Sequence, residues 1–373
     1  MNSNVHPLVA TLVIFLAILS VGIWVWGSGK AANIGGPSEL RIGPDGHLYI
    51  QIQNQLIEHD ANGSFLKTHD LTEIGVDLFL GSFSFFSNGD VLLRLGPDPR
   101  SFADNIRAFQ RKTNSQSLKP VTPDTGLYRC NLDARDCRLF GQQAIDFKAA
   151  HGMSIDRQTD DVYISDTTRH VLHKFSANGE FLAGPVGGFR FPNQIQVIGE
   201  QLLVADTNHH VIRIVDARSA SFGGDLTSND VVPAEARATD QTWPSHFARV
   251  GDEWWVNNMR TNMNEGGIYI FDDNWQYVRR VRLPRGADPI SLIAFNDEVL
   301  VSDWNNDRVH RISRTGERLS DFDSEGLRLI LEESNEVRWR YEVYKYLGVL
   351  LFALLLGGLM VRALAVNMSA KSR

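Results

Sequence analysis

Asp161-Val162-Tyr163-Ile164-Ser165-Asp166-Thr167-Thr168-Arg169-His170-Val171-Leu172-His173-Lys174-Phe175 is answered further along by Leu202-Leu203-Val204-Ala205-Asp206-Thr207-Asn208-His209-His210-Val211-Ile212-Arg213-Ile214-Val215. Each is a short apolar run, an Asp-Thr turn and an alternating run. Alternation with period two, broken by Asp, Thr, Asn or Gly, predicts antiparallel strands joined by tight turns. Val162 and Leu203 are 41 residues apart. A fixed period of that size predicts radial or stacked repeats.

The pattern recurs. Glu298-Val299-Leu300-Val301-Ser302-Asp303 with Arg308-Val309-His310-Arg311-Ile312 is a close copy. Glu253–Asn258 with Gly267–Phe271 is looser, and His47–Ile52 with Gln55–Asp60 lacks the Asp. Asp90–Leu95 with Gly126–Cys130 is split by a long insert, which makes six units. The best copies resemble the NHL repeat, whose pattern joins Tyr-Val-x-Asp-Thr to Asn-Arg-apolar. The resemblance covers roughly Gly36 to Phe322 and implies a six-bladed β-propeller. The physics agrees, because one four-stranded sheet cannot bury both faces alone and a ring of sheets can.

The expected fold is therefore all-β: a six-bladed NHL-type propeller flanked by two transmembrane α-helices. Residues 1–7 form a short tail, 8–26 the first span and 27–37 a tether. The propeller occupies 38–323, with an insert at 96–125 and an excursion at 223–241. A juxtamembrane helix at 324–346, a second span at 347–366 and a tail at 367–373 complete the chain. Leu8–Trp26 is uncharged and, at ~1.5 Å per residue, long enough for a ~30 Å hydrocarbon core. A signal peptide is the competing reading. No Lys or Arg precedes the run and Lys30 interrupts the cleavage region, so an uncleaved anchor is expected. Trp24, Trp26, Tyr341, Tyr344 and Tyr346 mark the ends of both spans on the propeller side, where aromatic belts sit.

Basic residues flank both sides of the spans about equally, so charge does not orient the chain. The two cysteines do. Cys130 and Cys137 flank a turn, and a loop over Leu132–Arg135 sets them opposite each other. A disulfide there implies an oxidising compartment; two reduced thiols are the alternative. The expectation is a bacterial inner membrane with the propeller on the periplasmic side.

The chain carries 37 basic and 44 acidic residues, a balance that argues against a nucleic-acid partner. No phosphate loop, nucleophile elbow or zinc motif occurs. Aligning the units places Glu39, His151, Asn193, Gln194 and His246 at the starts of innermost strands, around the channel mouth. These are the candidate ligand-binding residues. His151 and His246 with Glu39 would also make a metal set, which is the basis of the alternative reading: a metal-dependent hydrolase or lyase. Asp166, Asp206, Asn258 and Asp303 read as turn-capping members of the repeat. Four tryptophans in the fifth unit read as packing. No cofactor or catalytic residue is expected.

The reading is a non-catalytic binding or scaffolding module, and a structural subunit of a membrane complex is a further alternative. The expected partners are the bilayer and an integral membrane protein or lipid-linked molecule. Strand counting places both ends of the ring on one face, together with the insert, the excursion and the mouth residues.

Overall fold

The structure is a computed structural model that describes residues 7–74, 82–95, 126–141 and 151–371. The chain divides into two units: residues 36–328, and residues 1–35 with 329–373.

The first unit is a six-bladed β-propeller. Blade one contains β1 (Leu40–Ile42), β2 (Leu48–Ile52), β3 (Gln55–His59) and β4 (Phe65–Asp70). Blade two contains β5 (Ser84–Phe85), β6 (Val91–Leu95), β7 (Gly126–Asn131) and β8 (Asp136–Phe140). Blade three contains β9 (His151–Ile155), β10 (Val162–Asp166), β11 (Val171–Phe175) and β12 (Phe181–Val186). Blade four contains β13 (Pro192–Ile198), β14 (Gln201–Asp206), β15 (Val211–Asp216) and β16 (Asp225–Asp230). Blade five contains β17 (Gln241–Val250), β18 (Glu253–Arg260), β19 (Gly266–Phe271) and β20 (Tyr277–Val281). Blade six contains β21 (Pro289–Phe295), β22 (Glu298–Asp303) and β23 (Arg308–Ser313). Each blade is an antiparallel meander of consecutive strands.

Period two divides each strand between two neighbours. Leu202 and Val204 pack with Tyr163 and Leu172 of blade three. Leu203 and Ala205 pack with Phe247, Trp254 and Val256 of blade five. Trp255 turns the other way, to Leu292 and Val299 of blade six. The tryptophans of blade five are thus packing residues, and Trp254 stacks on Trp275 at 4.8 Å.

Polar stitches join the blades near the ring's inner edge. Ser165 Oγ donates to Asn193 O at 2.9 Å, Thr207 Oγ1 to Pro244 O at 2.7 Å, and Asn257 Nδ2 to Pro289 O. Ser302 Oγ donates to Ser38 O at 2.5 Å and closes blade six on blade one. In blades three, five and six the donor stands one residue before the signature Asp or Asn. Blade four has Ala205 there, and Thr207 does the same work.

Three expectations change. Residues 225–230 of the supposed excursion are β16, the outer strand of blade four, and Ala234–Ala238 is a short helix, α2. The strand was hidden because Asp-Leu-Thr-Ser-Asn-Asp is polar; an outermost strand needs no buried face. The separate juxtamembrane helix and second span are one helix, α3 (Glu325–Lys371). Finally, the ring's two ends attach differently. Gly36 N donates to Trp304 O at 3.3 Å, beside the β22–β23 turn. The outgoing segment lies against blade one's outer edge, with Ser324 Oγ 2.7 Å from His59 Nε2 and Gly326 against Phe65. Backbone bonds from Leu319 to Arg311 and from Phe322 to Val309 hold the last edge of blade six. Strand twist turns such an outer edge sideways, towards the next blade. The insert at 96–125 lies outside the described residues.

In the second unit, α1 (Pro7–Ala32) and α3 pack together. Gly27 lies against the backbone of Tyr341 and Lys345, and Gly348 against that of Ser20 and Trp24; a methyl at either would come within 2.7 Å of a main-chain atom. Small residues permit such close helix approach. Trp26 packs on Tyr341 and Tyr344 at 5.4 and 5.5 Å. Both helices are long and apolar enough to cross a membrane, with mean hydropathy 2.7 and 2.3 over their most apolar stretches.

Candidate binding site at the channel mouth

The innermost strands start at the face that carries the turns between second and third strands. Glu39 immediately precedes β1, and its carboxylate is buried. Arg41 lies two residues on, so period two sends both side chains to the same side. Arg41 Nη2 lies 2.8 Å from Glu39 Oε1. The same nitrogen donates to Ser82 Oγ at 2.9 Å, and Arg41 Nε donates to Phe83 O at 2.9 Å. The guanidinium therefore ties blade one to blade two across the inner edge.

His246, on β17, shares this environment. Its side chain keeps some accessible surface but sits deep in the ring, with Nδ1 3.3 Å from Ser245 Oγ. Burial, and then the positive charge of Arg41, push its pKa down to about 3. The imidazole is neutral at physiological pH. Burial pushes Glu39 upward, and Arg41 opposes that shift. The mouth thus presents a guanidinium–carboxylate pair, a hydroxyl and a neutral imidazole.

Asn193 and Gln194 come to the same inner edge but are already engaged. Asn193 Nδ2 donates to Thr207 Oγ1 at 2.6 Å. Gln194 Oε1 accepts from Phe247 N at 2.5 Å, joining blades four and five. His151 opens β9 opposite Asp166, and only its backbone is described. Sequence reasoning missed Arg41. The signal was present in the Glu39-x-Arg41 alternation at the start of the first unit.

The repeat carboxylates cap backbone. Asp166 Oδ1 accepts from Thr168 N and Arg169 N at 3.1 and 2.9 Å. Asp206 Oδ1 accepts from Arg190 N at 2.7 Å, and Asp303 Oδ1 from Asp288 N at 3.0 Å. The basic position of the repeat reaches the next blade: His170 Nδ1 meets Phe191 N at 3.0 Å, and His210 Nδ1 meets Thr242 O at 2.6 Å. Among the described residues, the one group of three His, Cys, Asp or Glu side chains with donor atoms all within 4.8 Å of one another is Asp45, His47 and Glu58. It lies at the β1–β2 turn, on the opposite face from the mouth.

No family model and no curated protein matches the chain. Among solved structures it is similar to a streptogramin B lyase, at 14% identity over 76% of this chain and 82% of that one, with TM-score 0.47. It is similar to virginiamycin B lyase from Staphylococcus aureus at 13% identity, over 76% and 83% of the two chains, with TM-score 0.48. It is also similar to a chain of a nidogen/laminin complex, at 11% identity over 79% and 93%, with TM-score 0.49. At such identities the likeness concerns the fold alone, which the six sheets establish independently.

Proposed function

We propose that this chain is a membrane-anchored propeller of the NHL type that works as a binding module outside the cytoplasm, with an integral membrane protein or lipid-linked molecule as its partner. The repeat signatures support the NHL assignment. Two apolar helices support the anchor. Cys130 and Cys137 face each other across β7 and β8 with Cα atoms 4.1 Å apart, which supports a bridge and an oxidising compartment. A bacterial inner membrane with a periplasmic propeller is the setting that fits all three. The tether is short: seven residues separate the end of α1 at Ala32 from the start of β1 at Leu40.

Arg41 carries the choice between binding and metal chemistry at the mouth. The alternative needs Glu39 and His246 to share a cation. Arg41 instead places a fixed positive charge on Glu39, and after burial it further depresses protonation of His246. A cation there would meet that charge, whereas a polar or anionic group of a partner would not. Asn193 and Gln194 spend their amides on the ring itself.

Photo-crosslinkers test this reading in membranes. One at Asn262, exposed on the β18–β19 turn of the mouth face, should capture a membrane protein or a lipid-linked molecule. One at Asn178, exposed on the β11–β12 turn of the other face, should not. Equal capture from both positions, or capture from Asn178 alone, contradicts the reading.

A further inference from the structure

We propose that blade one carries a site for a zinc-class divalent ion, formed by His47 Nδ1, Asp45 Oδ2 and Glu58 Oε1. The site does not depend on the channel mouth or on the reading given to it. His47 Nδ1 lies 2.7 Å from Glu58 Oε1 and 3.0 Å from Asp45 Oδ2. One ring nitrogen thus faces two carboxylate oxygens. Its single proton can serve only one of them at full strength. Three donor atoms converge, and a cation with more than one bond to offer satisfies all of them. An ion with bonds of ~2.0–2.2 Å fits once these atoms open by a few tenths of an ångström. Imidazole with carboxylates suits zinc and its transition-metal neighbours, whereas calcium and magnesium take all-oxygen sets.

The surroundings are built for this convergence. Gly43 leaves the space into which Asp45 folds back; a Cβ there would stand 2.6 Å from Asp45 Oδ1 and 3.0 Å from the Tyr49 ring. Asp45 Oδ1 accepts from His47 N at 3.0 Å, fixing the turn and leaving Oδ2 for the site. Glu58 is aimed from the other side. Its second oxygen, Oε2, accepts from His69 Nε2 at 2.7 Å, which orients the carboxylate as outer ligand partners do. Lys67 is a nearby cation. Its Nζ lies 3.6 Å from that same second oxygen and is paired with Asp133 at 2.5 Å, so its charge is met outside the site.

Access differs among the ligands. The Glu58 side chain is 7% exposed, His47 28% and Asp45 46%. The ion would therefore be held from below by the sheet, with its remaining position open to solvent. Water fills such a position, or a side chain of a partner. None of the three residues belongs to the repeat signature.

The test uses the full chain in detergent, stripped with chelator, and Zn²⁺ alone as the probe. Calorimetry should find one tight equivalent. At a hundredfold excess over Kd the unfolding temperature should rise by roughly 5 °C. His47→Gln should abolish both effects, and Asp45→Asn, on an exposed turn, provides a second variant that leaves the core untouched. His69→Gln should weaken binding about 10–100-fold. His209→Gln, which removes a surface imidazole beside Asp206, should bind as the parent does. Absence of Zn²⁺ binding, or binding that survives His47→Gln or Asp45→Asn unchanged, overturns the proposal.

Discussion

Two histidines in this molecule each stand between two carboxylates, and they stand there differently. His310 of blade six is wholly buried. Its Nδ1 meets Asp321 Oδ1 at 2.8 Å and its Nε2 meets Asp303 Oδ2 at 3.0 Å. Each nitrogen has one partner; Asn306 Nδ2 donates to the same Asp303 Oδ2, and Arg308 takes the other oxygen of Asp321. That arrangement is closed. His47 of blade one brings a single nitrogen to both of its carboxylates, at a turn open to solvent. That arrangement is unfinished. A histidine between two carboxylates makes a structural pin in one blade and a candidate ligand site in the other. Composition does not separate them; the number of ring nitrogens shared and the exposure do.

Substitution should separate them further. His310→Ala leaves Asp303 and Asp321 facing an empty, desolvated space. Removing one partner of a buried charged network costs about 3–5 kcal/mol, and denaturant unfolding should show a loss of that order. Asp288 beside it offers an intermediate test. Burial, then Asp303 and Glu265, push its carboxyl up to about 7. A folded-state pKa raised above the ordinary aspartate value means that folding takes up a proton. Stability then falls as pH rises from about 4 to about 7, and stays reduced above that. Asp288→Asn should remove this slope and raise stability by about 1–3 kcal/mol at pH 8, with little change at pH 4. A variant less stable at pH 8 would show that the ionised carboxylate is wanted. The smallest effect is expected at His47→Gln in metal-free protein, within about 0.5 kcal/mol, as for other substitutions away from the core. A large loss there would make blade one's cluster a pin like that of blade six.

Much of the ring was legible because its strands announce themselves. Val162–Asp166 and Leu202–Asp206 alternate cleanly, since every second residue must enter one of two interblade cores. The same logic hid β16, an outer strand that carries polar residues. Residues 324–346 read as helix and 347–366 as a span, and α3 joins the two without a break. At the mouth, position along the repeat found Glu39 and His246 but not Arg41. It also could not tell that Asn193 bonds within its own blade and Gln194 to the next one, because those bonds join residues 14 and 53 apart in sequence. His47 carried no signature at all. Its partners, Asp45 and Glu58, arrive through a turn and the β2–β3 pairing.

The proposed function requires an anchored propeller outside the cytoplasm. The direct measurement places one reporter thiol on the ring: Asn178→Cys in a chain with Cys130→Ser and Cys137→Ser, probed in intact spheroplasts with a membrane-impermeant maleimide. Asn178 is exposed on a turn whose backbone bonds, Ser176 to Glu180 and Gly179 to Ser176, do not use its side chain. Labelling before lysis, in protein that resists carbonate extraction from the membrane, is the predicted result. Labelling only after lysis, or release of the labelled protein by carbonate, would contradict it.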